Sequence, residues 1–175
     1  MNFFKKVFFI FFFIFISINL LKAEEKVSYI DIDYVLTNTL AGKELLNTLK
    51  KEEELKINKF RLKEDNFKNE EKKILAKKNL ISKEEINKEL KLLQIKFEQY
   101  RKEKIKEVDN LKIKRNKNIV NFMNLINPII EKYMSDNNIY MLLDKRNVFI
   151  ASKNYDITNN LIELINNQIK KIEIK

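Results

Sequence analysis

The 175-residue chain has no cysteine and no histidine, a single glycine (Gly42) and a single proline (Pro128). Without cysteine there are no disulfides, no thiol nucleophile and no thiolate metal site. Without histidine the commonest general base and metal ligand is missing. No nucleophile–base pair, glycine-rich loop or metal cluster is visible among the remaining residues, so the sequence does not read as an enzyme and implies no cofactor or metal. Asp31, Asp33 and Asp144 could be grouped as a carboxylate site, but capping at strand ends accounts for them more simply.

The shortage of helix breakers also has a positive meaning. Between Gly42 and Pro128 there is neither glycine nor proline, the residues least tolerated inside helices. That gap far exceeds the ~11 residues of an average helix. The pattern predicts two long helices folded into one antiparallel hairpin over residues 42–135, with its tip near 79–82. The tip reads Lys78-Asn79-Leu80-Ile81-Ser82-Lys83-Glu84-Glu85. Ser82 and Glu85 have capping-box spacing, each side chain able to reach the other's backbone N–H. Asn79 tolerates the left-handed conformation that often ends a helix. One helix is therefore expected to stop near Lys78 and the next to start near Lys83.

The apolar residues supply a seam. Leu46, Phe60, Phe67 and Ile74 fall at multiples of seven, with Glu53 in the missing place. Ile86, Leu90, Leu93, Phe97 and Tyr100 alternate three- and four-residue steps, as a coiled-coil seam does. Folding the chain about residue 80 sets Ile74 near Ile86, Phe67 near Leu93, Phe60 near Tyr100 and Leu49 near Leu111. At ~1.5 Å per residue the arms span roughly 55 and 80 Å. They are too long and too sparsely apolar to form a compact core, so they must project from one.

The flanks read differently. Residues 1–23 have the form of a secretory signal: Lys5 and Lys6, an apolar run from Val7 to Leu21, and Ala23 before Glu24-Glu25. The bland reading is an uncleaved anchor, although the run is shorter than the ~20 residues a spanning helix needs. Lys+Arg number 35 against 25 Asp+Glu, a net charge of +10, and the signal carries three of the lysines. Val27–Ile32 is expected as a strand, followed by a short helical turn capped by Asp33. After the denser apolar stretch from Ile119 to Tyr133, where Pro128 predicts a kink, the helix should give out at Ser135–Asn138. Ile139–Asp144 and Val148–Ala151 are expected as a β-hairpin around Lys145-Arg146-Asn147. Asp156 or Thr158 should cap a last helix bearing Leu161, Ile162, Ile165 and Ile169. The expected fold is α+β: a long antiparallel coiled-coil hairpin projecting from a small β body (24–41 and 136–175). Three short strands leave open edges, so trimerisation is expected to complete that body.

Two segments carry a family resemblance. Lys26–Leu46 (KVSYIDIDYVLTNTLAGKELL) and Met141–Asn166 (MLLDKRNVFIASKNYDITNNLIELIN) resemble the Skp/OmpH family of periplasmic chaperones, while the arms match only in length and character. At Arg146-Asn147 family members commonly carry glycine; asparagine can also adopt a positive φ. The resemblance implies a periplasmic homotrimer whose arms enclose unfolded outer-membrane proteins and keep them from aggregating. Val27, Tyr29, Ile30, Ile32, Met141, Leu142, Val148 and Ile150 would build the shared body. Phe60, Phe67, Ile74, Ile86, Leu93, Phe97 and Tyr100 would close the arm seam. Client contacts would come from Ile57, Leu62, Leu92 and Ile95 beside the seam and from Lys68, Lys72, Lys88 and Lys91. A basic surface also favours anionic membrane headgroups and acidic clients. Nucleic acid is not expected as a partner, because the signal directs the chain away from it and its positive charge is interspersed with acid. The competing reading is a coiled-coil tether of the cell envelope, anchored by residues 1–21.

Overall fold

The computed structural model describes residues 26–172, so the leader expected over 1–23 lies outside the described residues. Strand β1 covers Lys26–Ile30 and stops short of the expected Ile32. The reason is a cap: the Asp31 carboxylate accepts from the Tyr34 N–H at 2.9 Å. Asp31, not Asp33, thereby starts helix α1 (Ile32–Asn38). The next helix follows after one residue. Thr39, fully buried, caps α2 (Leu40–Ala76) by accepting from the Gly42 N–H at 3.2 Å.

Helix α2 runs 37 residues and α3 (Lys83–Asp136) runs 54, and they pack antiparallel as the arm. At the tip a 3-10 turn over Lys77–Asn79 precedes the capping box. There the Ser82 hydroxyl accepts from the Glu85 N–H at 3.2 Å, and Glu85 accepts from the Ser82 N–H at 3.0 Å. Asn79 does not take up a left-handed conformation; among non-glycine described residues only Asn138, where α3 hands over to the next strand, has a positive φ, 54°. Helix α3 continues through Pro128 to Asp136. The missing amide there costs a helix bond, but Ile126, Ile129 and Ile130 around it are buried in the core.

Strand β2 (Ile139–Asp144) pairs in parallel with β1, Val27 opposite Met141 and Ile30 opposite Asp144. The expected β-hairpin is absent. Lys145–Asn147 forms a 3-10 turn, and Val148–Ala151 belongs to no strand. The Asp144 carboxylate accepts from the Arg146 N–H at 2.9 Å and tightens that turn. Neither Arg146 nor Asn147 reaches the positive φ that a two-residue hairpin turn needs. The other edge of β1 is taken instead by a bridge from Tyr29 to Asp156, with the Ile157 N–H donating to the Tyr29 carbonyl at 3.1 Å. Asp156 also accepts from the Thr158 N–H at 3.0 Å as the last helix, α4 (Thr158–Gln168), begins.

One apolar cluster holds these pieces together: Ile30, Val35, Leu45, Phe122, Ile126, Leu161 and Ile165, among others. Leu49 is the last residue of α2 to join it. Further along the arm, only Leu93 and Tyr100 are buried among the described apolar side chains. The arm thus leaves the core after about the first quarter of α2.

Candidate functional site: the arm seam and its apolar flank

With so few buried residues, the arm needs another source of register. Lysines and glutamates face each other across the seam. Lys114 meets Glu52 at 2.8 Å, Lys104 meets Glu64 at 2.6 Å, Lys77 meets Glu89 at 3.0 Å, and Lys56 pairs with Glu107. Half-exposed pairs of this kind contribute little stability one by one, but a ladder of them disfavours slipped registers. The steps Glu52–Lys114, Lys63–Glu103 and Lys77–Glu89 are symmetric about residue 83, Glu64–Lys104 about 84 and Lys56–Glu107 about 81.5, so the ion pairs fold slightly beyond residue 80, while Phe60 still meets its expected partner Tyr100. The tip uses residues 77–82 for its turn and cap, which moves the fold point outward.

Midway along the arm sits an aromatic node. Tyr100 is 4% exposed, and its hydroxyl lies 3.1 Å from the Phe60 carbonyl and 3.0 Å from Glu64, donating between them. Phe67 packs against Phe97 and against Tyr100, each with ring centroids 5.4 Å apart, and Phe60 meets Tyr100 at 6.5 Å. Phe67 therefore contacts the ring one turn beyond Leu93, its expected partner, as the outward fold point requires. The bond from Lys104, helped by Tyr100, holds the Glu64 carboxyl below its usual range. Burial, with the neighbouring Glu64 charge, pushes the Tyr100 hydroxyl up to about 12.

The seam is not sealed on both sides. One flank opens a groove of 530 Å³ lined by Phe67, Leu90, Leu93 and Phe97, with Glu64, Lys68, Glu71 and Gln94 at its rim. A smaller gap of 200 Å³ opens nearer the body between Leu49, Ile57, Phe60, Val108 and Leu111. Glu53, the residue in the empty heptad place, lines that gap. A carboxylate there cannot fill the seam as a leucine would.

The residues expected at the client surface are not gathered in one place. Ile57 lines the smaller gap and Lys68 the rim of the groove. Leu62 follows Phe60 by two residues, roughly 200° round the helix, and so lies on its back; Lys91 lies ~180° from Tyr100 by the same reckoning. Leu92 and Ile95 are exposed at 53% and 49%, and Lys72 and Lys88 are exposed as well. Of the expected seam, Ile74 and Ile86 are half-buried, as is Phe67, whereas Phe97 stays open at 37%. The ladder partners Glu52, Glu64 and Lys104 were not anticipated; opposite charges at mirrored distances from the tip are the signal that marks them.

The body residues divide similarly. Ile30 is 3% exposed in the chain's own core, and Ile32 and Leu142 pack against that core. Ile32 sits in α1, not in a strand, and Val148 and Ile150 lie in the segment that follows the 3-10 turn. Val27, Tyr140, Met141, Phe149 and Ile150 face outward, Phe149 completely. Beside them Val27, Tyr29, Leu143, Val148, Ile150 and Tyr155 line a groove of 630 Å³. Asp31 and Asp144 act as caps and ion-pair partners: Lys145 meets Asp31 at 2.9 Å and Arg146 meets Asp144 at 2.6 Å. Those bonds hold both carboxyls below their usual range. Among the described residues no cluster of acidic side chains is arranged to hold a metal ion.

These features define an α+β protein whose small body carries one long helical-hairpin arm. The profile of the OmpH-like outer membrane protein family matches residues 26–165, and the chain belongs to that family. Among solved structures it is similar to an OmpH-like protein of Caulobacter crescentus, described as a candidate outer membrane chaperone. That match has 19% identity and a TM-score of 0.76, and covers 85% of this chain and 88% of the other. No curated protein matches the chain. No helix among the described residues is long and apolar enough to cross a membrane.

Proposed function

We propose that this protein is a periplasmic holdase chaperone that receives unfolded outer-membrane proteins between its arms and prevents their aggregation. The observation that carries the reading is the arm itself. It closes its seam with an ion ladder and one aromatic node, and it leaves apolar side chains such as Ile57 and Phe97 open to solvent along an unfilled flank. Scattered apolar contacts on a basic scaffold suit many unfolded sequences weakly, as a holdase requires. The OmpH-like neighbour supports it by fold.

The exposed side of β2 and the open Phe149–Ile150 segment support assembly into a homotrimer, which would cover them; exposed apolar patches of this kind mark interfaces. Ile150→Asp should leave the fold intact and reduce the subunit number, and an unchanged mass in solution would remove Ile150 from the interface. The basic surface also favours contact with anionic membrane headgroups. The direct test of function is light scattering during dilution of a urea-unfolded outer-membrane β-barrel protein. Suppression of scattering by stoichiometric chaperone supports the reading. Unsuppressed aggregation with intact trimer would favour the envelope tether, which a mature N-terminus still bearing residues 1–21 would then establish.

A further inference from the structure

The arm's charge is uneven along its length. Between Glu71 and Glu84 there are five lysines, at 72, 73, 77, 78 and 83, and no acid. Lys77 is taken by Glu89, but Lys72, Lys73, Lys78 and Lys83 make no ion pair among the described residues. Of the acids that follow, Glu85 is turned back onto the Ser82 backbone as a cap. At the turn stands Leu80, 82% exposed, with Ile81 half-buried beside it. Among the described residues this turn lies at the far end of the arm from the core, and Leu80 is left largely uncovered. We propose that the arm tip docks on an anionic lipid surface, Leu80 entering the headgroup layer while Lys78 and Lys83 meet lipid phosphates.

The charge complementarity selects that partner. Several cations around one protruding aliphatic side chain match a surface that is anionic outside and apolar just beneath, whereas an acidic polypeptide would leave Leu80 in water. Each lysine near an anionic membrane changes partitioning roughly five-fold, and the attraction is screened over ~8 Å at physiological salt. The tip site lies about two helical turns beyond the groove at Phe67 and Phe97, on a surface separate from the one proposed for clients. It rests on the headgroup contact proposed above and narrows that contact to one loop.

The test uses the full mature chain and vesicles of phosphatidylcholine with or without phosphatidylglycerol. Wild type should co-sediment with the anionic vesicles only. The double variant Lys78→Glu, Lys83→Glu should bind at least ~25-fold more weakly, with unchanged helical circular dichroism. Leu80→Trp, in a chain with no other tryptophan, should shift its emission to the blue on anionic vesicles. Free inorganic phosphate at matched ionic strength should not displace the protein; displacement would show a discrete anion site and overturn the proposal. Failure of the wild type to bind would overturn the headgroup contact altogether. Equal binding by wild type and double variant, with no emission shift, would overturn the tip assignment alone. Equally tight binding to a DNA oligonucleotide would reduce the effect to unselective polyanion capture and reject a lipid site.

Discussion

Gly42→Ala tests the joint between body and arm. A Cβ at this position would lie 2.0 Å from the Leu36 carbonyl oxygen and 2.7 Å from the Thr39 hydroxyl. Gly42 does not have a positive φ; close approach, not backbone freedom, demands a glycine. The struck atom belongs to the backbone of α1, which is tied to the core through the fully buried Val35. The elbow between α1 and α2 would have to open by more than an ångström. Overpacking costs typically 1–3 kcal/mol, and a rigid obstacle places this case near ~3 kcal/mol. Alanine's helix propensity returns ~1 kcal/mol, so the net loss is about 2 kcal/mol. With a urea slope of ~2 kcal/mol/M, the unfolding midpoint should fall by ~1 M. The assay is circular dichroism against urea at matched protein concentration, with Glu44→Ala as an exposed control expected within ~0.5 kcal/mol of wild type. A Gly42→Ala midpoint equal to or above wild type would refute the close-approach argument.

Three further outcomes follow from the arm and body. The Tyr100 hydroxyl is raised to about 12 in the fold, so its neutral form favours folding; that stability is complete below the usual ~10 and fades as pH rises toward 12. Tyr100→Phe should remove this alkaline step and cost ~1 kcal/mol at neutral pH for the lost hydrogen bond, read by urea titration at both pH values. Glu64, Asp31 and Asp144 are held below their ordinary values by Lys104, Lys145 and Arg146. Folding is therefore favoured above the ordinary values of 4.5 and 3.8, and thermal stability should fall as pH drops below that range and soften when Lys104 or Lys145 becomes alanine. Phe67→Cys combined with Phe97→Cys should cross-link within one chain more efficiently than Phe67→Cys with Leu93→Cys, scored on a non-reducing gel; the reverse order would restore a fold point at residue 80.

Much of the architecture was legible because it rests on local signals. A long stretch without glycine or proline and a capping box at Ser82 are local signals, and the two helices and the cap appear where expected. The register was less accurate, since the residues consumed by the 3-10 turn at Lys77–Asn79 cannot be counted from an apolar pattern. The expected β-hairpin fails to form for a nonlocal reason. Val148–Ala151 has strand-like composition, but Asp144 tightens the preceding turn and Asp156 occupies the edge of β1. Ile30, expected in the β body, is the inward member of an alternating strand and joins the chain's own core. At the candidate surface, exposure alone did not locate the flank. Leu62 and Ile57 are both apolar and exposed, yet Ile57 lines the gap beside Phe60 while Leu62 lies on the back of the helix, a distinction set by how the two helices turn toward each other.

The central claim is that the arm, on its unfilled flank, holds unfolded protein. Site-specific photo-crosslinking tests it most directly, with the crosslinker placed in turn at Ile57, Phe97 and Leu62 of the full chain and an unfolded outer-membrane β-barrel protein as target. Strong adducts from Ile57 and Phe97, with weak ones from Leu62 on the back of α2, are the predicted result. Equal yields from all three positions, or none from any while aggregation is still suppressed, would contradict it.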